Sequence, residues 1–325
     1  MKPFAFVFPG QGSQSVGMLD AWGDNPIVAQ TLQEASDALG EDVAALIKYG
    51  PKEALALTTN TQPVMLVSAI AAYRVWLAET GVPPSVVAGH SLGEYSALVA
   101  SGVLTLAQAA PLVRLRAQAM QDAVPVGQGA MAAILGLDAT KIIAVCADIT
   151  SSSGLNESEK LIHSVQAANF NDPGQTVISG SKAAVDAACE QLKAAGAKRT
   201  LILPVSAPFH SQLMRPAATK LAEALKSVNF AAPQIPVVNN IDVCVQTDAA
   251  AIKDALYRQA FGPVRWVECV AAIKARGQND GLTTIVECGP GKVLAGLVKR
   301  IDAELTGVAL FDPASLADVK ALLQS

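Results

Sequence analysis

The sequence predicts an α/β protein, a large domain built on a parallel sheet and interrupted by a smaller inserted domain. Three observations carry that expectation. Short apolar runs bounded by Gly and Pro alternate with longer Ala- and Leu-rich helical stretches, the rhythm of βα units around a parallel sheet. A middle stretch changes to a strand, helix, strand, strand, helix, strand order, the ferredoxin-like pattern. Finally, one serine stands between two glycines where an apolar run gives way to a helix, in Gly89-His90-Ser91-Leu92-Gly93.

In the parallel layer the strand candidates are Phe4–Phe8, 86–88, 234–238 and 284–287, and the helix candidates are 61–79, 105–122, 212–227 and 248–259. The first run is apolar throughout and is stopped by Pro9-Gly10, which suits a strand buried on both faces. The second, Val86-Val87-Ala88, follows the Pro83-Pro84 breaker. The middle stretch places its elements at 130–135, 142–149, 164–168, 176–179, 182–195 and 199–203. An insert over 127–203 follows, with crossings near Gly127 and Pro204, so that 1–126 and 204–325 together make the large domain. The Ser-rich segment 151–160 reads as a surface loop.

With 325 residues, 51% of them hydrophobic, the chain can bury a large core. Its 24 Lys and Arg against 28 Asp and Glu give a net charge of −4, which leaves no basic stripe for nucleic acid. The five cysteines have no CxxC pair and no neighbouring histidine, so no metal site is expected, and they read as buried free thiols of a reducing cytoplasm. Phe4–Phe8 is too short for a signal-peptide core, and Arg74 interrupts the apolar stretch around it before a membrane-spanning length is reached. A cytoplasmic monomer without a membrane anchor is expected.

The chemistry concentrates on Ser91. Small residues at 89 and 93 let a sharp strand-to-helix bend pack closely, exposing the hydroxyl beside the N–H groups that open the next helix. A serine hydroxyl needs a base, most often histidine, and the chain has three. His90 adjoins Ser91 and should point away from it, packing or capping locally. His163 sits at the edge of the insert and reads as structural or solvated. His210, in Ser206-Ala207-Pro208-Phe209-His210-Ser211, is the best candidate. The loop Phe8-Pro9-Gly10-Gln11-Gly12-Ser13-Gln14 has Ser15 where a dinucleotide fingerprint needs its third glycine, so it is read instead as bringing the Gln11 N–H beside that of Leu92 as an oxyanion hole. Gly289-Pro290-Gly291-Lys292 lacks the earlier glycine of a phosphate loop, Val286 standing there. Arg114 and Arg116 lie about 200° apart on one helix, so only one can face a shared pocket. A serine thioesterase or esterase, or a catalytically silent docking module, remains open at this level.

Taken together, FPGQGSQ, GHSLGEYSAL, RLRAQAMQ, GAMAAILGL, NFNDPGQTVISG, SAPFHS, PVRW and ECGPGKVL resemble the malonyl-CoA:acyl carrier protein transacylases of fatty-acid synthesis, in that family's order and over nearly the whole chain. The resemblance implies a hydrolase-like large domain with a ferredoxin-like insert. It implies ping-pong malonyl transfer from malonyl-CoA to acyl carrier protein, with coenzyme A thioester as substrate and no cofactor. By position it makes Ser91 the nucleophile, His210 the base, Gln11 and Leu92 the oxyanion-hole residues and Arg116 the clamp for the malonyl carboxylate. Gln259 matches the substrate-site position whose backbone carbonyl orients the histidine. Phe209 resembles the malonyl-selecting form of its loop, and Asn169 corresponds to a position near the pantetheine arm. A stand-alone acyltransferase for a polyketide synthase shares this chemistry. Two features depart from the family pattern. Pro111 falls inside the Arg116 helix, where it could kink the axis, and the 151–160 loop is longer than the family needs.

Overall fold

The computed structural model describes residues 1–151 and 162–325. The expected loop at 151–160 therefore lies outside the described residues, apart from Ser151. Two sheets organise the chain. The first is parallel, with strands β1 (Phe4–Phe8), β2 (Val86–Gly89), β7 (Val237–Val238), β8 (Thr284–Cys288) and β9 (Thr306–Leu310) in the order β7-β2-β1-β8-β9. The second is antiparallel, with β3 (Gly129–Leu135), β4 (Val165–Asp172), β5 (Gln175–Ser181) and β6 (Arg199–Ile202) in the order β4-β5-β3-β6. The α/β class and the strand, helix, strand, strand, helix, strand order of the second sheet are as expected. Helices Ala139–Thr150 and Lys182–Ala194 supply the two crossovers.

β1 is buried at every position because it is a central strand with helices on both faces. Its alternation sorts the core. Phe4, Phe6 and Phe8 meet Tyr73 and Trp76 edge to face, while Ala5 and Val7 join Val264, Trp266 and Leu294 on the opposite face. Tyr73 and Trp76 belong to the helix Thr58–Thr80, which is buried along most of its length. That helix carries no apolar stripe because neighbours cover it all round.

The expected strand at 234–238 shrinks to Val237–Val238, paired with Val87 and Ala88. It is an edge strand, and Pro236 just before it cannot donate to a ladder. Strand β9 and the flanking helices Val293–Ile301 and Pro313–Gln324 were outside the sequence expectations. Pro111 does not break the helix Leu106–Asp122, which starts from a capping box of Thr105 and Gln108. Among the described residues, no helix is long and apolar enough to cross a membrane. Cys146, Cys269 and Cys288 are buried thiols, but Cys189 is half-buried and Cys244 is exposed on the bend that follows β7.

β1 and β2 run side by side with Phe8 opposite Gly89, so the loops leaving their carboxyl ends meet. That end of a parallel sheet is where α/β proteins place their sites. β4 reaches the same place from the second sheet. Phe170 N–H donates to Val264 O (2.9 Å) and Val264 N–H to Ala168 O (2.8 Å), tying β4 to the segment before the helix Trp266–Gly277. Irregular register between Ala167 and Asn169, and again between Phe170 and Asp172, re-aims the side chains there.

Candidate active site

The bend after β2 needs both of its glycines. A Cβ on Gly89 would lie 1.8 Å from the Gly93 carbonyl carbon, and one on Gly93 would lie 2.0 Å from Phe8 O. The strand end, the helix start and β1 thus touch backbone to backbone. Ser91 between them takes φ 53°, a left-handed conformation that side chains rarely adopt. Gly10 extends this close packing, since a Cβ there would lie 2.7 Å from His90 O. The Gln11 loop is thereby laid on the Ser91 turn.

Ser91 Oγ lies 2.7 Å from His210 Nε2. His210 also has a left-handed backbone, φ 60°, and is buried. Its Nδ1 lies 2.9 Å from Gln259 O and 3.1 Å from Gly262 O. Carbonyls only accept, so Nδ1 carries the proton and the Nε2 lone pair faces the serine hydroxyl. Burial, and secondarily the nearby Arg116 charge, pulls the His210 pKa down to about 3, so the imidazole is neutral and its Nε2 lone pair is free to accept from the serine hydroxyl. No carboxylate is required behind it.

Arg116 is 2% exposed, and among the described residues it forms no ion pair. One guanidinium nitrogen donates to Gln62 Oε1 at 2.6 Å. The other reaches Ser91 Oγ and Gln259 Oε1, both at 3.2 Å. The Tyr95 ring lies 5.5 Å from it. A buried guanidinium without a carboxylate partner keeps its ion-pairing capacity for an anionic ligand. Arg114 faces away to Asn60 and Glu41, as the helix geometry required.

Gln11, Ser91, Leu92, Arg116, Asn169 and His210 line one cleft of about 200 Å³, whose apolar wall includes Phe209 and Met131. Among the described residues, neither the Gln11 nor the Leu92 backbone N–H donates a hydrogen bond, so both are available to an oxyanion. The Gln11 side chain is anchored on Thr58 Oγ1, which in turn meets Ser206 of the His210 loop. Gln259 does not line the cleft. It stands behind the wall, fully buried, holding His210 through its carbonyl and Arg116 through its side chain. His163 is exposed.

His90 packs on Trp266, but its hydrogen bond is not local. Its Nε2 meets Asn171 Oδ1 at 2.8 Å, across from β4. His90 and Asn171 both line the cleft, so this bond ties the Ser91 turn to β4 at its wall. Sequence reasoning also passed over Gln62, Glu94, Gln166 and Asn240. Gln166 donates to His210 O (3.0 Å) and to Phe261 O (3.3 Å). A usable signal existed for Asn240 alone, since Asn239-Asn240 directly follow a strand at the carboxyl end of the sheet.

Residues 5–304 match the family model described as the acyl transferase domain. A malonyl CoA-acyl carrier protein transacylase of Salmonella typhimurium is 52% identical over 318 residues, covering 98% of each chain. The crystal structure of an acyl-carrier-protein S-malonyltransferase from Burkholderia pseudomallei superposes with a TM-score of 0.91 at 61% identity, covering 98% of this chain and 99% of that one. A malonyl-transacylase in complex with its type II polyketide acyl-carrier protein, 48% identical, also gives 0.91 with both chains fully covered. With the nucleophile turn, the neutral histidine and this similarity along its whole length, the chain belongs to the acyl transferase domain family.

Proposed function

We propose that this protein transfers the malonyl group of malonyl-CoA to the phosphopantetheine thiol of acyl carrier protein, through a malonyl ester on Ser91. His210 Nε2 takes the Ser91 proton as Oγ attacks the thioester carbonyl, and the Gln11 and Leu92 N–H groups receive the oxyanion. Collapse expels coenzyme A, which takes the proton back from His210. In the second half the carrier thiol gives its proton to His210, attacks the ester and leaves as malonyl carrier, Ser91 being reprotonated. Arg116 holds the free carboxylate throughout, Asn169 borders the pantetheine arm and Phe209 walls the acyl group.

The observation that carries this reading is the unpaired, buried Arg116 guanidinium 3.2 Å from Ser91 Oγ. An acetyl group would leave it unpartnered, whereas malonyl brings a carboxylate. The names of the relatives support the same substrate and acceptor. The span 127–203 is read as an inserted subdomain, supported by a sheet whose four strands all fall between Gly129 and Ile202. The protein is proposed to work in the cytoplasm as a monomer without a cofactor.

Mixing the protein with malonyl-CoA and a fatty-acid acyl carrier protein tests the reading. Coenzyme A release should match malonyl carrier formation. Free malonate appearing at the rate of coenzyme A release would assign a thioesterase instead. The complex with a polyketide carrier gives a second acceptor specific weight, and a marked preference for such a carrier would move the protein to polyketide assembly.

A further inference from the structure

Ser91's own backbone N–H is not open to the reaction. It donates to Asn240 Oδ1 at 2.7 Å, while Asn240 Nδ2 donates to Gly89 O at 2.7 Å. One side chain thus spans both limbs of the turn. Asn240 lies two residues beyond β7, whose partner is β2, so the amide continues the pairing where the backbone ladder ends. The Asn240 backbone N–H donates to Glu94 Oε2 at 2.8 Å, and the same oxygen accepts from Gln259 Nε2 at 3.0 Å. Gln259 Nε2 also donates to Ser91 O at 3.0 Å. Asn240, Glu94 and Gln259 are 0%, 2% and 0% exposed, and none of them lines the cleft.

We infer that Asn240 and Glu94 are positioning residues: Asn240 clasps the Ser91 turn, and Glu94 locks that clasp to Gln259, the residue that holds both His210 and Arg116. Because the turn is strained and lies among buried polar groups, each lost bond leaves a donor or acceptor without water to replace it. The clasp also settles which donors are left. With the Ser91 N–H engaged, the Leu92 and Gln11 N–H groups remain. Glu94 lies three residues after Ser91, in the first turn of the helix Gly93–Ala100 that leaves the bend, which makes it the short route between nucleophile and base. Burial pushes its pKa up to about 7, consistent with a carboxyl kept for its acceptor oxygen rather than for its charge.

This deepens the acyl-transfer reading and rests on Ser91 as its nucleophile. The test measures Ser91 acylation by malonyl-CoA and by p-nitrophenyl acetate, a neutral ester that makes no use of Arg116. Asn240→Ala should lower the acylation rate constant about 100-fold with both donors, while KM for malonyl-CoA changes less than about threefold. Glu94→Ala should act in the same direction, and the double variant should be no worse than the poorer single one, because both break one linkage. Glu94→Gln, which keeps an acceptor oxygen, should recover most of the Glu94→Ala loss. A folded Asn240→Ala that acylates at the parental rate, losses that multiply in the double variant, or a loss confined to malonyl-CoA would each overturn the proposal. If Asn240→Ala does not fold, Asn240→Asp carries the test. It keeps the acceptor for Ser91 N–H and loses the donor to Gly89 O, so about tenfold slower acylation supports the clasp and a parental rate overturns it. A parent that reacts with the ester but takes no malonyl counts against the malonyl reading alone.

Discussion

The Ser91 and His210 turns share a left-handed backbone, at φ 53° and φ 60°, yet they are held by different means. The serine turn is shaped first by its own glycines, close neighbours in sequence, and is then clasped from afar by Asn240. Gly89 and Gly93 touch through their backbones, and β1 lies directly against Gly93. The histidine turn is built from afar: Gln166 of β4 grips its carbonyl, and Gln259 and Gly262 receive its Nδ1–H. Glycines take part there too, but at a distance: a Cβ on Gly129 would strike Pro208, and one on Gly262 would lie 2.8 Å from Arg258 O. A nucleophile can be presented by a local motif, whereas a base must be delivered to it by tertiary structure.

That contrast can be broken at several points, and the largest effect belongs to the delivered group. His210→Ala should slow Ser91 acylation about 10⁴-fold with folding retained, as checked by stopped-flow release of coenzyme A. Gly93→Ala should strike the other turn through the fold itself. Its Cβ would collide with Phe8 O, and denaturant titration should show a loss of about 3 kcal/mol. Arg116→Ala should cut the preference for malonyl-CoA over acetyl-CoA about 100-fold in competition, leaving both turns in place. Unchanged selectivity would remove the arginine from its assigned role.

The gentlest test is titration. The folded protein resists protonation of His210 down to about 3, against an ordinary histidine value of 6.5. The acid limb of kcat/KM should therefore fall below about pH 5 rather than near 6.5. Between those two pKa values the unfolded chain binds the proton that the folded one refuses. The histidine's contribution to stability is thus full above pH 6.5 and is lost as the pH drops towards 3. A histidine limb at 6.5 would mean that the ring is hydrated and less firmly seated than its carbonyl partners require.

The same division explains what could be read in the sequence. The all-apolar Phe4–Phe8, the glycine pair around Ser91, and the four strands and two helices of the antiparallel layer follow from local pattern and periodicity, and they appear where expected. That Gln11 and Leu92 line the cleft could be expected because each lies in the loop just beyond a strand end. Asn240's position after a strand end hinted at the site, but its contact with Ser91 spans 149 residues and the Gln259 contact with Glu94 spans 165, so the partners themselves had no local signature. Position 259 came from resemblance rather than from pattern, and its side chain's bond to Arg116 was not foreseen. His90 packs on Trp266 as expected, but the partner it bonds had no local signal. Its neighbour in sequence is Ser91, but its partner in space is Asn171, which the irregular β4 turns towards it.

Intact mass spectrometry after brief mixing with malonyl-CoA tests the central claim most directly. The parent should gain one malonyl unit, located on Ser91 by peptide mapping, and Ser91→Ala should gain none. Adduct formation on Ser91→Ala, or a parent that releases coenzyme A without ever carrying the acyl group, would contradict the account.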